Sequence, residues 1–338
     1  MNGNYLSREN TDCFKGICAM MVVLCHVCSR TGVGSGIGLG PIYSALGYLG
    51  VSGFMFMSGY GLTFSLTKRL DQVNGYLHTF VRNRIFPIYL LMLLLAVLYF
   101  ILKAILSPQS PVAQDLIQSC FFGNTVISFG WYLQSIVLIY LLFYIAASWT
   151  IRFCTSSMEK PLLISVGIGL LLYIGLCLVL ELDATWYETV LSFEAGIAIL
   201  CYRTQVDNWL STEVRTVVSF LLFVGLFSCC FVLGSGPFLV GTLKILLKMF
   251  SSVLFCLCCL TAMRCFSLVN PVTSFLGGIY LEIYIIQGVI YLLLRNKYWS
   301  LNSSIYFFII AITLVIVGAK LIKPLTTSFM RIVKVKSA

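Results

Sequence analysis

The chain has 338 residues, 59% of them hydrophobic and only 10% charged, with a mean hydropathy of +0.98. So apolar a composition excludes a soluble globular domain and describes a polytopic membrane protein. The net charge of +10 invites a nucleic-acid partner, but the basic residues gather at the ends of apolar segments, which excludes one.

Apolar runs long enough to cross a bilayer, about 17–25 residues each, lie near 13–32, 42–66, 85–106, 131–151 and 161–181. Five more follow near 186–202, 214–234, 244–263, 274–294 and 304–322. The expected fold is all-α, with ten transmembrane helices joined by short loops. It forms one membrane-embedded domain over 1–338, ending in a basic tail at about 324–338. The sixth run is the shortest, and the eighth carries Lys244 and Lys248 at its start. With a cytoplasmic N-terminus, sixteen of the 22 basic residues fall inside. Arg30, Lys103, Lys244, Lys248, Arg295 and Lys297 fall outside, a positive-inside bias that puts both termini in the cytoplasm.

Most of the fourteen cysteines lie within these runs and read as small apolar packers rather than a disulfide framework. Cys25-His26-Val27-Cys28 has a metal-like spacing, but its side chains diverge around a helix and no second His/Cys group exists, so no metal is expected. The first run carries ionisable residues and no cleavage pattern follows it, so it reads as a helix rather than a removable leader.

That first run also carries the main chemical signal. It opens on Asp12 and Lys15 and reaches His26, one of two histidines in the chain. Eleven residues return to within about 20° of the starting face and rise about 16 Å, so Lys15 and His26 share a stripe. An ionisable group in hydrocarbon is costly unless something uses it. The glycine-rich segment 31–41 follows on the outer side as a lid or connector; it lacks the lysine of a phosphate loop. In the second run, Gly47, Gly50 and Gly53 line one face and permit close helix approach. Ser58, Gly59 and Tyr60 then bring two hydroxyls and a flexible hinge near its inner end. Arg82 and Arg84 stand where the third helix enters the membrane. They read either as lipid anchors or as a clamp for a phosphorylated donor, because guanidinium forks bind phosphate. Glu194 and Glu282 lie inside later runs, where a carboxylate pairs with a cation or is protonated. Lys15 and an imidazolium at His26 are their natural partners, and which acid meets which base stays open.

In order along the chain, these residues resemble the integral-membrane acyltransferase 3 family of O-acyltransferases. The resemblance rests on Asp12, Lys15-Gly16 and His26, then on Leu49-Gly50-Val51 through Phe54, Phe56 and Ser58-Gly59-Tyr60. It continues through Arg82-Asn83-Arg84-Ile85-Phe86-Pro87-Ile88-Tyr89 and Trp131-Tyr132-Leu133, and ends at Leu276-Gly277, Tyr280, Glu282 and Tyr284. It implies transfer of an acyl group, usually acetyl, from cytoplasmic acyl-CoA to a hydroxyl of a cell-surface or lipid-linked glycan, in a bacterial inner membrane. His26 is then the general base or a covalent acyl relay, assisted by Lys15, Asp12, Glu282 and Glu194. Arg82, Arg84, Ser58 and Tyr60 form the donor site. The chain departs from the family pattern at Lys15, usually arginine, at Ile279, often serine, and at Gln287, commonly histidine. Two competing readings use the same features: a transporter or flippase of a glycan precursor or small solute, and an inactive assembly partner.

Overall fold

Ser7 opens the first helix, its hydroxyl accepting the Asn10 N–H at 3.2 Å, and Gly32 closes it in a left-handed conformation, with φ 65°. These caps frame α1, Arg8–Thr31, in a computed structural model that describes residues 5–33, 40–121, 123, 126–153, 158–235 and 241–333. Next come α2 (Gly40–Thr67), α3 (Val73–Phe80), a π-helical turn (Val81–Ile85) and α4 (Phe86–Leu106). The short α5 (Ala113–Cys120) precedes α6 (Trp131–Phe153), α7 (Glu159–Val179) and α8 (Val190–Cys201). The chain continues as α9 (Arg203–Trp209), α10 (Glu213–Ser235), α11 (Thr242–Cys265), α12 (Pro271–Gly278), α13 (Tyr280–Leu294) and α14 (Ser304–Val333). Among the described residues there is no strand, only an isolated bridge between Arg295 and Ser300.

All ten predicted runs contain helix, and among the described residues eight helices, or nine with the bent pair α12–α13, are long and apolar enough to cross a membrane. Two runs differ from the simple rod expected. The 274–294 run is broken, with α12 and α13 meeting at a 70° bend. Asn270 caps α12 ahead of Pro271, and the pair Gly277-Gly278, poor helix formers, ends it. The 186–202 run yields an α8 of 12 residues, about 18 Å of helix against the ~30 Å of hydrocarbon. Because α8 packs among α2, α7 and α11, its ends need not match the lipid. The tail from 324 is helical as far as Val333, with Pro324 inside α14; residues 334–338 lie outside those described.

The core of the bundle is α1 against α2 and α2 against α8. Gly47, Gly50 and Gly53 share one face, as expected, and the helix that approaches it is α1: an added Cβ at Gly50 would sit 2.7 Å from the Cys18 carbonyl oxygen. Gly59 is not a hinge. It lies in unbroken helix, and Gly59 and Gly196 seat α2 and α8 backbone to backbone, against Phe193 and Phe56 respectively. Van der Waals contact between small residues drives such crossings where no hydrophobic effect operates. By contrast α10 and α14 keep most of their apolar surface exposed, as lipid-facing helices do.

Candidate functional site

Two cavities enter the bundle from opposite faces. The near face is the one that holds the start of α1. Its cavity, about 820 Å³, is lined by Arg8, Lys15, Ser58, Tyr60, Ser65, Arg84, Arg203 and Tyr280. The far cavity, about 480 Å³, is lined by His26, Tyr48, Phe129, Trp131, Thr185, Glu188, Lys244 and Lys248. Tyr132 and Tyr284 line both. Their rings meet edge to face with centroids 5.5 Å apart and form the partition between the two spaces. The run containing α8 joins the two faces, since Thr185 borders the far cavity and Arg203 the near one.

On the far side, His26 stacks on Phe129 with ring centroids 3.5 Å apart and planes within 9°. Its Nδ1 lies 3.0 Å from Gln287 Oε1. Gln287, 1% exposed, donates its amide N–H to the Tyr284 carbonyl at 3.3 Å. With the amide so oriented, Oε1 is an acceptor, and neutral His26 carries its proton on Nδ1. The lone pair is then on Nε2, which is what a general base or nucleophile requires. Phe129 sits in the left-handed region at φ 63°, costly for a bulky side chain. Tyr284 fixes it by donating its hydroxyl proton to the Phe129 carbonyl, so the tyrosine that walls the cavities also sets the ring under His26.

The near cavity is basic. Lys15 pairs with Asp12 at 2.8 Å and lies 5.2 Å from the Tyr280 ring centroid. Arg84 donates to Ser65 Oγ at 3.1 Å, and Tyr140 donates to Ser58 Oγ at 3.2 Å. Arg203 donates to Tyr60 Oη at 2.8 Å and to Asp207 Oδ2 at 2.8 Å while covering the Tyr5 ring. Burial and the bond to Asp207 push the Tyr5 phenol well above its usual range, so it donates to Asp207 as a neutral hydroxyl. Asp12 and Asp207 pair with Lys15 and Arg203 from outside the lining, and no described lining residue is itself a carboxylate.

Several sequence expectations are corrected here. Neither acid reaches His26 or Lys15. Glu282, 1% exposed at the start of α13, pairs with Lys323 at 3.3 Å and accepts from Thr326, fastening α13 to α14. Glu194 points at Gly167 of α7, where an added Cβ would be 2.8 Å from its Oε1. Arg82 and Arg84 do not act as one clamp: two positions apart in the π-helical turn, they point to roughly opposite sides. Arg84 lines the near cavity, and Arg82 is exposed outside its lining. His78 is exposed on α3. Most of the glycine-rich segment, residues 34–39, lies outside the described residues. Sequence reasoning missed Phe129, two positions before the quoted Trp131-Tyr132. It also missed Glu188, and it counted Arg203 and Lys248 only as topology charges; Glu188 and Lys248 pair at 3.0 Å. Gln287 was read as a loss and is the partner of His26.

His26 thus borders the far cavity, with the basic near cavity beyond Tyr132 and Tyr284. The family model for the acyltransferase domain matches residues 8–322. The chain therefore belongs to the acyltransferase 3 family and is an acyltransferase. No curated protein and no solved structure matches it.

Proposed function

We propose that the protein moves an acyl group, acetyl by preference, from cytoplasmic acyl-CoA to a hydroxyl of a cell-surface or lipid-linked glycan, across a bacterial inner membrane. The observation that carries this reading is His26. Its Nε2 is left basic by Gln287, and it lies in the far cavity with the basic near cavity just beyond Tyr132 and Tyr284. The near face is cytoplasmic in this reading, in line with the excess of basic residues. Arg84, Arg203 and Arg8 suit the phosphates of CoA, which guanidinium groups bind through charge-assisted bonds. Phe54, Leu133 and Ile136 line the apolar part of the same cavity and suit the pantetheine arm.

His26 Nε2 takes the proton of the acceptor hydroxyl as its oxygen attacks the thioester carbonyl. The C–O bond forms, the C–S bond breaks, and the proton passes to the departing CoA sulfur. A variant runs in two steps. In it, Nε2 itself attacks the carbonyl, the C–S bond breaks and the departing sulfur takes the Nδ1 proton; the acceptor hydroxyl then attacks the acyl-imidazole, the C–N bond breaks and the hydroxyl proton returns to the ring. Replacing His26 with Ala in either case lowers acyl transfer by about 10²–10⁴-fold with unchanged protein in the membrane. The assay follows label from acyl-CoA into glycan by mass spectrometry. Transfer retained in His26→Ala refutes the reading.

A further inference from the structure

Lys244 and Lys248 stand four residues apart near the start of α11, and both line the far cavity with His26. Local structure favours neither. The N-terminal end of a helix disfavours cations, like charges at this spacing repel, and the positive-inside rule depletes lysine on the far side. One of the two charges is answered: Glu188, 4% exposed at its side chain, bonds Lys248 at 3.0 Å. Among the described residues Glu188 is the sole acid of the cavity lining, and no ion pair reaches Lys244. The far cavity thus combines one surplus cation, an ion pair of buried Glu188 and half-buried Lys248 with capacity for hydroxyls, and the aromatic side chains of Trp131 and Tyr48.

We infer that the far cavity binds a saccharide bearing an anionic group, a sugar carboxylate or a sugar phosphate, and that Lys244 receives that group. Glu188 and Lys248 hold ring hydroxyls, one accepting and the other donating, and Trp131 covers an apolar face of the ring. The role of His26 toward this sugar rests on the acyl-transfer reading above. The charge selection does not, because it follows from the lysines alone. A neutral saccharide leaves Lys244 unanswered and binds less tightly.

The test uses the full-length protein in nanodiscs with three probes: phenyl β-glucoside, phenyl β-glucuronide and the 6-phosphate of the glucoside. Titration calorimetry reads binding, and labelled acetyl-CoA reads transfer. We expect the glucuronide or the phosphate to bind about 10- to 100-fold tighter than the glucoside, with a preference that shrinks as salt rises. The probe that binds tighter identifies the anion. Lys244→Gln should remove the preference and Lys244→Arg should keep it. Equal affinity for all three probes, no binding by any, or a preference intact in Lys244→Gln overturns the inference. Anion preference without transfer to any probe supports the charged site and refutes the acyl-acceptor assignment. Transfer to the neutral glucoside with equal kcat/KM does the reverse.

Discussion

Gln287→Met is the substitution that most directly tests how His26 is prepared. Methionine keeps the length and apolar stem of glutamine but offers no strong acceptor to Nδ1. The imidazole should stay in place, because Phe129 stacks on it at 3.5 Å; what disappears is the 3.0 Å bond that holds the proton on Nδ1. Gln287 is 1% exposed, so water cannot substitute freely. Leaving a buried donor unsatisfied costs about 1–3 kcal/mol, which at ~1.4 kcal/mol per decade of rate lowers kcat about 5- to 150-fold. The assay is steady-state acyl transfer in reconstituted membranes beside the thermal stability of the same sample. The fall should appear in kcat with the melting temperature nearly unchanged. A Gln287→Met enzyme with full kcat refutes the assignment of the free lone pair to Nε2. Loss of fold and activity together marks Gln287 as a packing residue.

Arg84→Ala and Arg203→Ala should each raise the KM for acyl-CoA, since a charge-assisted bond contributes about 1.5–3 kcal/mol. Arg82→Ala should leave it nearly unchanged, and equal effects at all three positions would reduce the arginines to lipid anchors. Glu282→Ala should lower the yield of folded protein, by stranding Lys323 and Thr326, and the residue that remains folded should keep kcat. A folded but inactive Glu282→Ala would return Glu282 to the reaction. Reporter fusions after Ala338 and within 68–84 should read cytoplasmic, and a periplasmic C-terminus would overturn the assignment of the near face.

Periodicity carried much of this fold because both of its signals are local. The α1–α2 seam was legible in Gly47, Gly50 and Gly53, whose three-residue spacing puts them on one side of any helix. The division between Lys15 and His26 was legible as rise along a single helix, and each residue does border its own cavity. Hydropathy is blind to backbone direction, which is why the 70° bend at Ile279 read as one continuous span. The bend turns Glu282 toward α14, and no spacing in the sequence links position 282 to Lys323, 41 residues away. Arg82 and Arg84 look equivalent when the reader sees only charge; their angular separation on a helix sorts one into the cavity and the other onto the surface. Gln287 could be read only by what it lacks, a titratable ring, until its amide was seen bonded between His26 and the Tyr284 carbonyl.

The Tyr132–Tyr284 partition bears on the membrane as well as on the reaction. A continuous wet channel from one face to the other would leak ions and protons and dissipate whatever gradient the membrane stores. Two rings in edge-to-face contact, flanked by Phe54 at 6.1 Å from Tyr132, stand where the two cavities share their lining. In the proposed reaction, what crosses is then a few atoms of acyl group, handed on by bond exchange. Enlarging the gap with Tyr132→Ala should therefore show first as proton leak in sealed vesicles, a cost borne by the whole cell and independent of any change in turnover.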